Sequence, residues 1–185
     1  MLRGRFSVMD LNKLPDAPDV EETGATFAQN ASLKAMAISS FVDGWAIADD
    51  SGLEVHALDG APGVRSARFA GDTASDADNN TLLLRNLQQM RGRARSANFR
   101  CVLALAKSGE LVATFDGRVD GIVLDEPAGD GGFGYDPLFV PDGYSETFGQ
   151  LPPETKNEIS HRARALTQLT DWLETHPEIL AGNAK

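Results

Sequence analysis

Asp49 and Asp50 stand side by side where the apolar run Gly44-Trp45-Ala46-Ile47-Ala48 gives way to Ser51 and Gly52. Adjacent carboxylates repel each other unless a cation or a proton intervenes, and their hard oxygens suit Mg2+ shared with a phosphate. The run predicts a strand that stops at the pair, and α/β sheets gather their ligands at the carboxyl ends of strands. Asp, Ser and Gly also form turns, so an ordinary strand-ending turn is the competing reading. A second stretch, Gly129-Asp130-Gly131-Gly132-Phe133-Gly134-Tyr135-Asp136-Pro137, sets glycines around two rings. Such spacing exposes backbone amides and frees Phe133 and Tyr135 to stack on a flat heterocycle. No Lys-Ser or Lys-Thr follows at the required place, which excludes a Walker loop. His161 and Arg162 come directly after Ser160, a helix-capping residue. Cations in a first turn oppose the helix dipole, so their presence there points to a ligand.

The elements that must position these residues follow from periodicity. Arg5–Met9 alternates as a short strand. Thr26 and Gln29 form a capping-box pair that opens a helix, with Phe27, Ala31, Ala35 and Ile38 on its apolar face. Asn30 and Lys34 lie one turn apart on a different, polar face, for which solvation is the ordinary reading. Leu53–Leu58 reads as a separate strand closed by Asp59-Gly60, and Ser75–Gln89 as a helix. Phe99–Ala106 and Leu111–Val123 read as paired strands joined at Ser108-Gly109. Pro152 and Pro153 start a short helix carrying Lys156, and Ser160 caps a longer one with Ala165, Leu166, Leu169, Trp172 and Leu173 on its apolar face. Asp76, Asp78 and Asn80 mimic the opening of a Ca2+ loop, but Thr81 and Leu87 occupy the positions that need Gly and Glu, which excludes that site. Arg65 and Arg68, three apart in a loop, fit an exposed surface or an anion.

With 185 residues, 42% of them hydrophobic and 24% charged, the chain is long enough to bury a core, and a single domain over residues 1–185 is expected. A net charge of -10 argues against broad binding to nucleic acid or an anionic membrane, so any polyanionic ligand must be met by a local cluster of cations. No apolar run approaches the ~20 residues of a membrane span, and no signal peptide opens the chain, so a cytoplasmic location is expected. The single Cys101 excludes an internal disulfide and any multi-cysteine metal site.

Taken together and in order, the following segments resemble the inosine/xanthosine triphosphate pyrophosphatase family. They are Glu22-Thr23-Gly24-x-Thr26-Phe27-x-x-Asn30-Ala31-x-x-Lys34-Ala35, Ala48-Asp49-Asp50-Ser51-Gly52-Leu53, Ala61-Pro62-Gly63, Ser66-Ala67-Arg68, Gly132-Phe133-Gly134-Tyr135-Asp136-Pro137 and Ser160-His161-Arg162. The resemblance implies an α/β fold with a long mixed central sheet flanked by helices, two lobes around a substrate cleft, and a homodimer. It implies Mg2+-dependent hydrolysis of ITP, dITP and XTP to the monophosphate and pyrophosphate. By the same resemblance Asp50 is the general base or water-positioning carboxylate, and Glu22, Asp49 and Asp50 lie at the metal. Lys34 would face the triphosphate and Ser51 would touch the nucleotide. Phe133, Gly134, Tyr135 and Asp136 would line the base and sugar pocket, and Lys156, His161 and Arg162 would contact the base.

The family's opening strand and phosphate-gripping turn have no counterpart in the chain, which reads as amino-terminally truncated relative to the family and hence impaired in turnover. Gly149-Gln150 after Thr147-Phe148 stands where the family shows Ala-Glu. A nucleotide-binding remnant without turnover, or a hydrolase of modified pyrimidine triphosphates, are the alternatives; Ser160-His161-Arg162 favours a purine over a pyrimidine.

Overall fold

A computed structural model describes residues 8–181. Of the strand expected over Arg5–Met9, residues 5–7 lie outside the described residues, and Val8 and Met9 are exposed and outside any strand. Helix α1 (Phe27–Phe41) leads to strand β1 (Trp45–Val55), helix α2 (Asp76–Asn86), and strands β2 (Ser96–Lys107) and β3 (Glu110–Val123). Short strand β4 (Phe139–Pro141) and helices α3 (Pro153–Ile159), α4 (His161–Thr175) and α5 (Pro177–Ala181) follow. The α/β fold with helices flanking a long sheet is as expected. The sheet is not mixed, however: among the described residues its order is β1-β2-β3-β4 and every pairing is antiparallel. Ser108 and Gly109 join β2 to β3 with φ of 46° and 88°, the left-handed pair that matches the twist of a tight hairpin.

The largest departure concerns β1. The strand does not stop at the aspartates but runs through them, with Asp49, Asp50, Ser51 and Gly52 paired to Leu103, Val102, Cys101 and Arg100. Asp, Ser and Gly are poor strand formers, yet a neighbouring strand that satisfies their backbone groups outweighs local propensity. Gly52 is needed here for close approach: a Cβ would lie 2.5 Å from the Gly63 carbonyl and 3.0 Å from the Phe27 ring. The turn expected near Gly52 comes instead after Val55, as a 3-10 turn over His56–Leu58.

Side chains alternate across the sheet, and the two faces of β2 show how the layers are built. Val102, Ala104 and Ala106 pack with Phe27, Ala31 and Ala35 of α1. Leu105 and, less buried, Leu103 pack with Leu169 and Leu173 of α4, so the sheet is sandwiched between the two helices. Farther along, Leu53, Phe99 and Val119 join Leu83 and Leu87 with Leu138, Phe139 and Phe148 in a separate core. Buried Arg95 donates to the carbonyls of Leu87 and Val123, tying the end of α2 to the end of β3.

Helix α4 lies unusually close to β3 at Gly117. A Cβ at that position would overlap the His161 carbonyl and lie 2.5 Å from the Ala165 nitrogen, both backbone groups that cannot swing away. Gly117→Ala is therefore expected to push α4 outward and destabilise the fold by about 1–3 kcal/mol. Thermal melts check this, at about 2–4 °C for each kcal/mol in a chain of this size.

Candidate active site

The site begins in the segment before α1. Thr26 accepts from the Gln29 amide at 3.2 Å, while the Gln29 side chain accepts from the amide of Ala25 rather than that of the capping residue. One position farther into the helix, Asn30 is fully buried, not solvated. Its oxygen accepts from the Gly24 amide at 2.7 Å and its nitrogen donates to Asp50 Oδ2 at 3.0 Å. Lys34, a turn later, contacts Glu22 Oε1 at 2.5 Å and Asp50 Oδ1 at 3.5 Å. Arg68 approaches the other Glu22 oxygen at 3.4 Å. Two carboxylates from distant segments thus converge on one ammonium, and each has a further donor on its second oxygen.

Strand alternation separates the two aspartates. Asp50 pairs in register with Val102 and faces α1, whereas Asp49 pairs with Leu103 and Ser51 with Cys101, on the face that α4 covers. Asp49 Oδ2 accepts from Ser51 Oγ at 2.9 Å and from Arg162 Nε at 3.1 Å. The structure therefore does not bring Asp49 to Glu22 and Asp50, and a metal shared by the adjacent pair does not follow from their adjacency. Among the described residues no group of three or more His, Cys, Asp or Glu is placed to hold a metal ion. Glu22 and Asp50 nevertheless fit Mg2+, which takes one or two carboxylates and completes its shell with phosphate oxygens and water. Their convergence on Lys34 marks a place where a cation is already favoured.

The charges behave accordingly. Burial raises the Asp50 carboxyl above its ordinary value, outweighing the hydrogen bond from Asn30 and the charge of Lys34, and the nearby Glu22 adds to the rise. Burial also pushes Glu22 upward, but hydrogen bonds and charge from Lys34 and Arg68 prevail and leave it below the usual range. Burial holds the Cys101 thiol at about 11, which makes it a packing residue and no nucleophile at neutral pH.

The glycine-rich segment is only partly the open platform expected. Phe133 is 60% exposed, with Lys156 Nζ 4.9 Å and Arg162 Cζ 5.2 Å from its ring centre. Tyr135, by contrast, is buried in the core, and its hydroxyl donates to the Ser66 carbonyl at 2.9 Å, so it has no free face for a heterocycle. Asp136 is buried as well, accepting from the Phe133 amide at 2.8 Å and from Lys156. Gly134 is held through its backbone, its amide donating to Asp76 Oδ2 at 2.6 Å and its carbonyl accepting from Asn80 at 3.0 Å.

His161 and Arg162 diverge in the same way as the aspartates. Arg162 is half exposed and reaches Asp49, while His161 turns inward, 4% exposed and stacked on Phe99 with ring centres 4.9 Å apart. Its Nδ1 is buried without a hydrogen-bond partner among the described residues. Burial, with the charges of Arg162 and Lys156, pulls the imidazole from 6.5 down to about 3, so the folded chain keeps it neutral. An unfolded chain takes up a proton below about pH 6.5 that the folded chain refuses, so this contribution to stability is intact above 6.5 and declines as pH falls towards 3. The decline is about 1.4 kcal/mol per pH unit. Melting temperatures measured from pH 7 to 5 are expected to fall, and His161→Gln is expected to flatten that fall by one proton's worth; an unchanged slope contradicts the assignment.

Asn30, Asp76, Asn79 and Asn80 bond to candidate site residues or their loops without having been expected there, while Arg68, which fitted an anion, meets the carboxylate of Glu22. Asn30 had a readable signal, because it lies three residues after Phe27 and beside Ala31, at the margin of the apolar face where a polar side chain is drawn inward.

A family profile described as the Ham1 family matches residues 1–172. A protein of Geobacter sulfurreducens named dITP/XTP pyrophosphatase is 49% identical over 168 residues, 91% of this chain and 84% of its own. A protein of the same name from Geobacillus kaustophilus is 49% identical over 178 residues, 96% of this chain and 86% of its own. The solved Ham1 protein of Staphylococcus aureus superposes with a TM-score of 0.82 at 43% identity, covering 90% of this chain and 85% of that one. A HAM1 protein from Coxiella burnetii gives 0.81 at 42% identity over 86% and 82%. With its profile matched over most of its length and its fold shared with these proteins at such identity, the chain belongs to the Ham1 family.

Proposed function

We propose that the chain is a Mg2+-dependent hydrolase that cuts deaminated purine nucleoside triphosphates, ITP, dITP and XTP, to the monophosphate and pyrophosphate. The observation that carries this reading is the convergence of Glu22 and Asp50 on Lys34, with Asn30 fixing one oxygen of Asp50. The names of the relatives from Geobacter sulfurreducens and Geobacillus kaustophilus support the same substrate class.

Asp50 is the base in this reading. Its raised carboxyl accepts a proton more readily than an exposed aspartate, and Asn30 pins Oδ2 so that Oδ1 is left towards Lys34 and the incoming water. Water adds to the α-phosphorus as the bond to the bridging oxygen breaks; its proton passes to Asp50 and pyrophosphate departs with the bond's electrons. Lys34 donates to phosphate oxygens once a nucleotide draws it from the carboxylates. Glu22 and Asp50 would hold Mg2+, which when bound absorbs negative charge developing on the phosphate oxygens. Lys34 and, to a lesser degree, Arg68 keep Glu22 ionised, and Arg68 holds its second oxygen.

Phe133 offers the purine its exposed ring, and Lys156 and Arg162 at that ring supply donors to an oxygen at the six position. Asp49, held by Ser51, engages only Nε of Arg162, which leaves the terminal nitrogens of the guanidinium for the base. Tyr135 and Asp136 act as braces behind this surface. His161 Nδ1, buried and unpaired, is the kind of orphan that a ligand or an ordered water completes.

Such a substrate belongs to the cytoplasmic nucleotide pool. Among the described residues no helix is long and apolar enough to cross a membrane. A homodimer belongs to the same proposal, supported by exposed Phe41, Val42, Ile47, Leu111 and Val112 near one end of the sheet. The reading is tested by a substrate panel of ITP, XTP, ATP and modified pyrimidine triphosphates, each with Mg2+ and with a chelator. Turnover confined to the deaminated purines and abolished by chelation is expected; preference for a pyrimidine, or turnover indifferent to Mg2+, contradicts it.

A further inference from the structure

The first turns of α2 carry three polar side chains, Asp76, Asn79 and Asn80, spaced so that they share one side of the helix. None reaches the cation cluster at Glu22 or the Phe133 ring, yet together they grip the two loops that do. Asn79 is 2% exposed. Its oxygen accepts from the Ala70 amide at 2.8 Å and its nitrogen donates to the Ala67 carbonyl at 3.1 Å. It therefore staples the chain on either side of Arg68, the residue that holds Glu22. The same loop is fixed from other directions, because Ser66 Oγ accepts from the Leu53 amide at 2.9 Å and the Ser66 carbonyl accepts from Tyr135. Asp76 and Asn80 treat Gly134 likewise, one taking its amide and the other its carbonyl. Gly134 directly follows Phe133, and Asp136, two residues on, holds Lys156.

We infer that this side of α2 is a brace that sets the two halves of the site against each other. Asn79 positions the Arg68 loop and through it the Glu22 carboxylate; Asp76 and Asn80 position the Gly134 loop and through it the base platform of Phe133 and Lys156. The inference rests on the proposed nucleotide hydrolysis for its kinetic consequence and on hydrogen bonds alone for its structural one. Because the two grips act on different loops, their loss separates. Loss of the Gly134 grip weakens recognition of the base, while loss of the Ala67 and Ala70 grip misplaces the Glu22 carboxylate at the phosphates and so acts chiefly on turnover. A merely structural helix gives no such division, since any weakening of it lowers stability and activity together.

The test compares Asp76→Ala, Asn80→Ala and Asn79→Ala with the unsubstituted chain by hydrogen exchange and by steady-state kinetics with ITP and Mg2+. Asp76→Ala and Asn80→Ala are expected to speed exchange in the peptide containing Gly134 and leave that containing Ala70 unchanged, with Asn79→Ala doing the reverse. Asn80→Ala is expected to raise KM up to about tenfold at nearly constant kcat, as one partly buried hydrogen bond is worth at most roughly that factor. Asn79→Ala is expected to lower kcat instead. Asp76→Asn, which keeps an acceptor for the Gly134 amide, is expected to retain the unsubstituted behaviour. If Asn79→Ala fails to fold, the contrast between Asp76→Ala and Asp76→Asn decides by itself. Exchange that rises equally in both peptides, or parallel losses of kcat and melting temperature without a change in KM, overturns the brace. A lack of nucleotide turnover by the unsubstituted chain refutes the hydrolase reading and leaves the exchange pattern to judge the brace.

Discussion

Asp50→Asn is expected to leave the fold intact and lower pyrophosphate release from ITP or XTP by about a hundred- to ten-thousandfold. The amide has nearly the shape of the carboxylate and can turn its oxygen to the Asn30 donor, so the buried contact at 3.0 Å survives. The change removes a charge whose burial is unfavourable, as its raised pKa shows, and the melting temperature is expected to hold or rise. What disappears is the proton acceptor and one of the two carboxylates that suit a divalent cation. Lys34 keeps Glu22 as its partner and is not stranded. Steady-state kinetics and thermal melts on one preparation separate the two effects. Unimpaired turnover in Asp50→Asn removes the carboxylate from the mechanism; a large loss of stability makes it a structural residue.

Selectivity for the base is the second large effect. If Lys156 and Arg162 direct donors at the six position of the purine, the six-amino group of ATP sets donor against donor and leaves buried polar groups unpaired. Each such mismatch costs roughly 1–3 kcal/mol, and two together give about thirtyfold to about twenty-five-thousandfold in kcat/KM. Arg162→Ala is expected to erase most of the preference for ITP over ATP, chiefly by weakening ITP. The same substitution leaves Asp49 with the Ser51 hydroxyl and, more weakly, the Cys101 thiol as donors, without the ion pair at 3.1 Å. That carboxylate is partly exposed, so a loss of stability of only about 0–1 kcal/mol is expected. An unaltered ratio of ITP to ATP turnover in Arg162→Ala contradicts this assignment, whatever happens to the rates themselves.

Much of the site was legible because its residues carry charge or glycine at unusual places. Glu22, Lys34 and Asp50 were expected at one centre from the family resemblance and do lie together, whereas the periodicity of α1 by itself left Lys34 on a solvated face. What escaped was direction. Adjacency of Asp49 and Asp50 suggested one shared ligand, but a strand sends neighbours to opposite faces, and whether β1 continued through them depended on β2, some fifty residues away. The same limit explains Tyr135 and His161. A ring in a glycine-rich run and an imidazole in a first turn both look available, and only the core formed by Phe99, Phe139 and Phe148 draws them inward. The asparagines of α2 carried no signal of their own, because their partners are backbone groups in loops whose path is a tertiary result.

The central claim is that Glu22, Lys34 and Asp50 serve cleavage between the α and β phosphates of a deaminated purine triphosphate. Phosphorus NMR of ITP or XTP incubated with the chain and Mg2+ tests it most directly, because the products differ in kind and not only in amount. Equal amounts of nucleoside monophosphate and pyrophosphate, both formed at least about a hundredfold more slowly by Asp50→Asn, is the predicted result; orthophosphate and nucleoside diphosphate as primary products would contradict it.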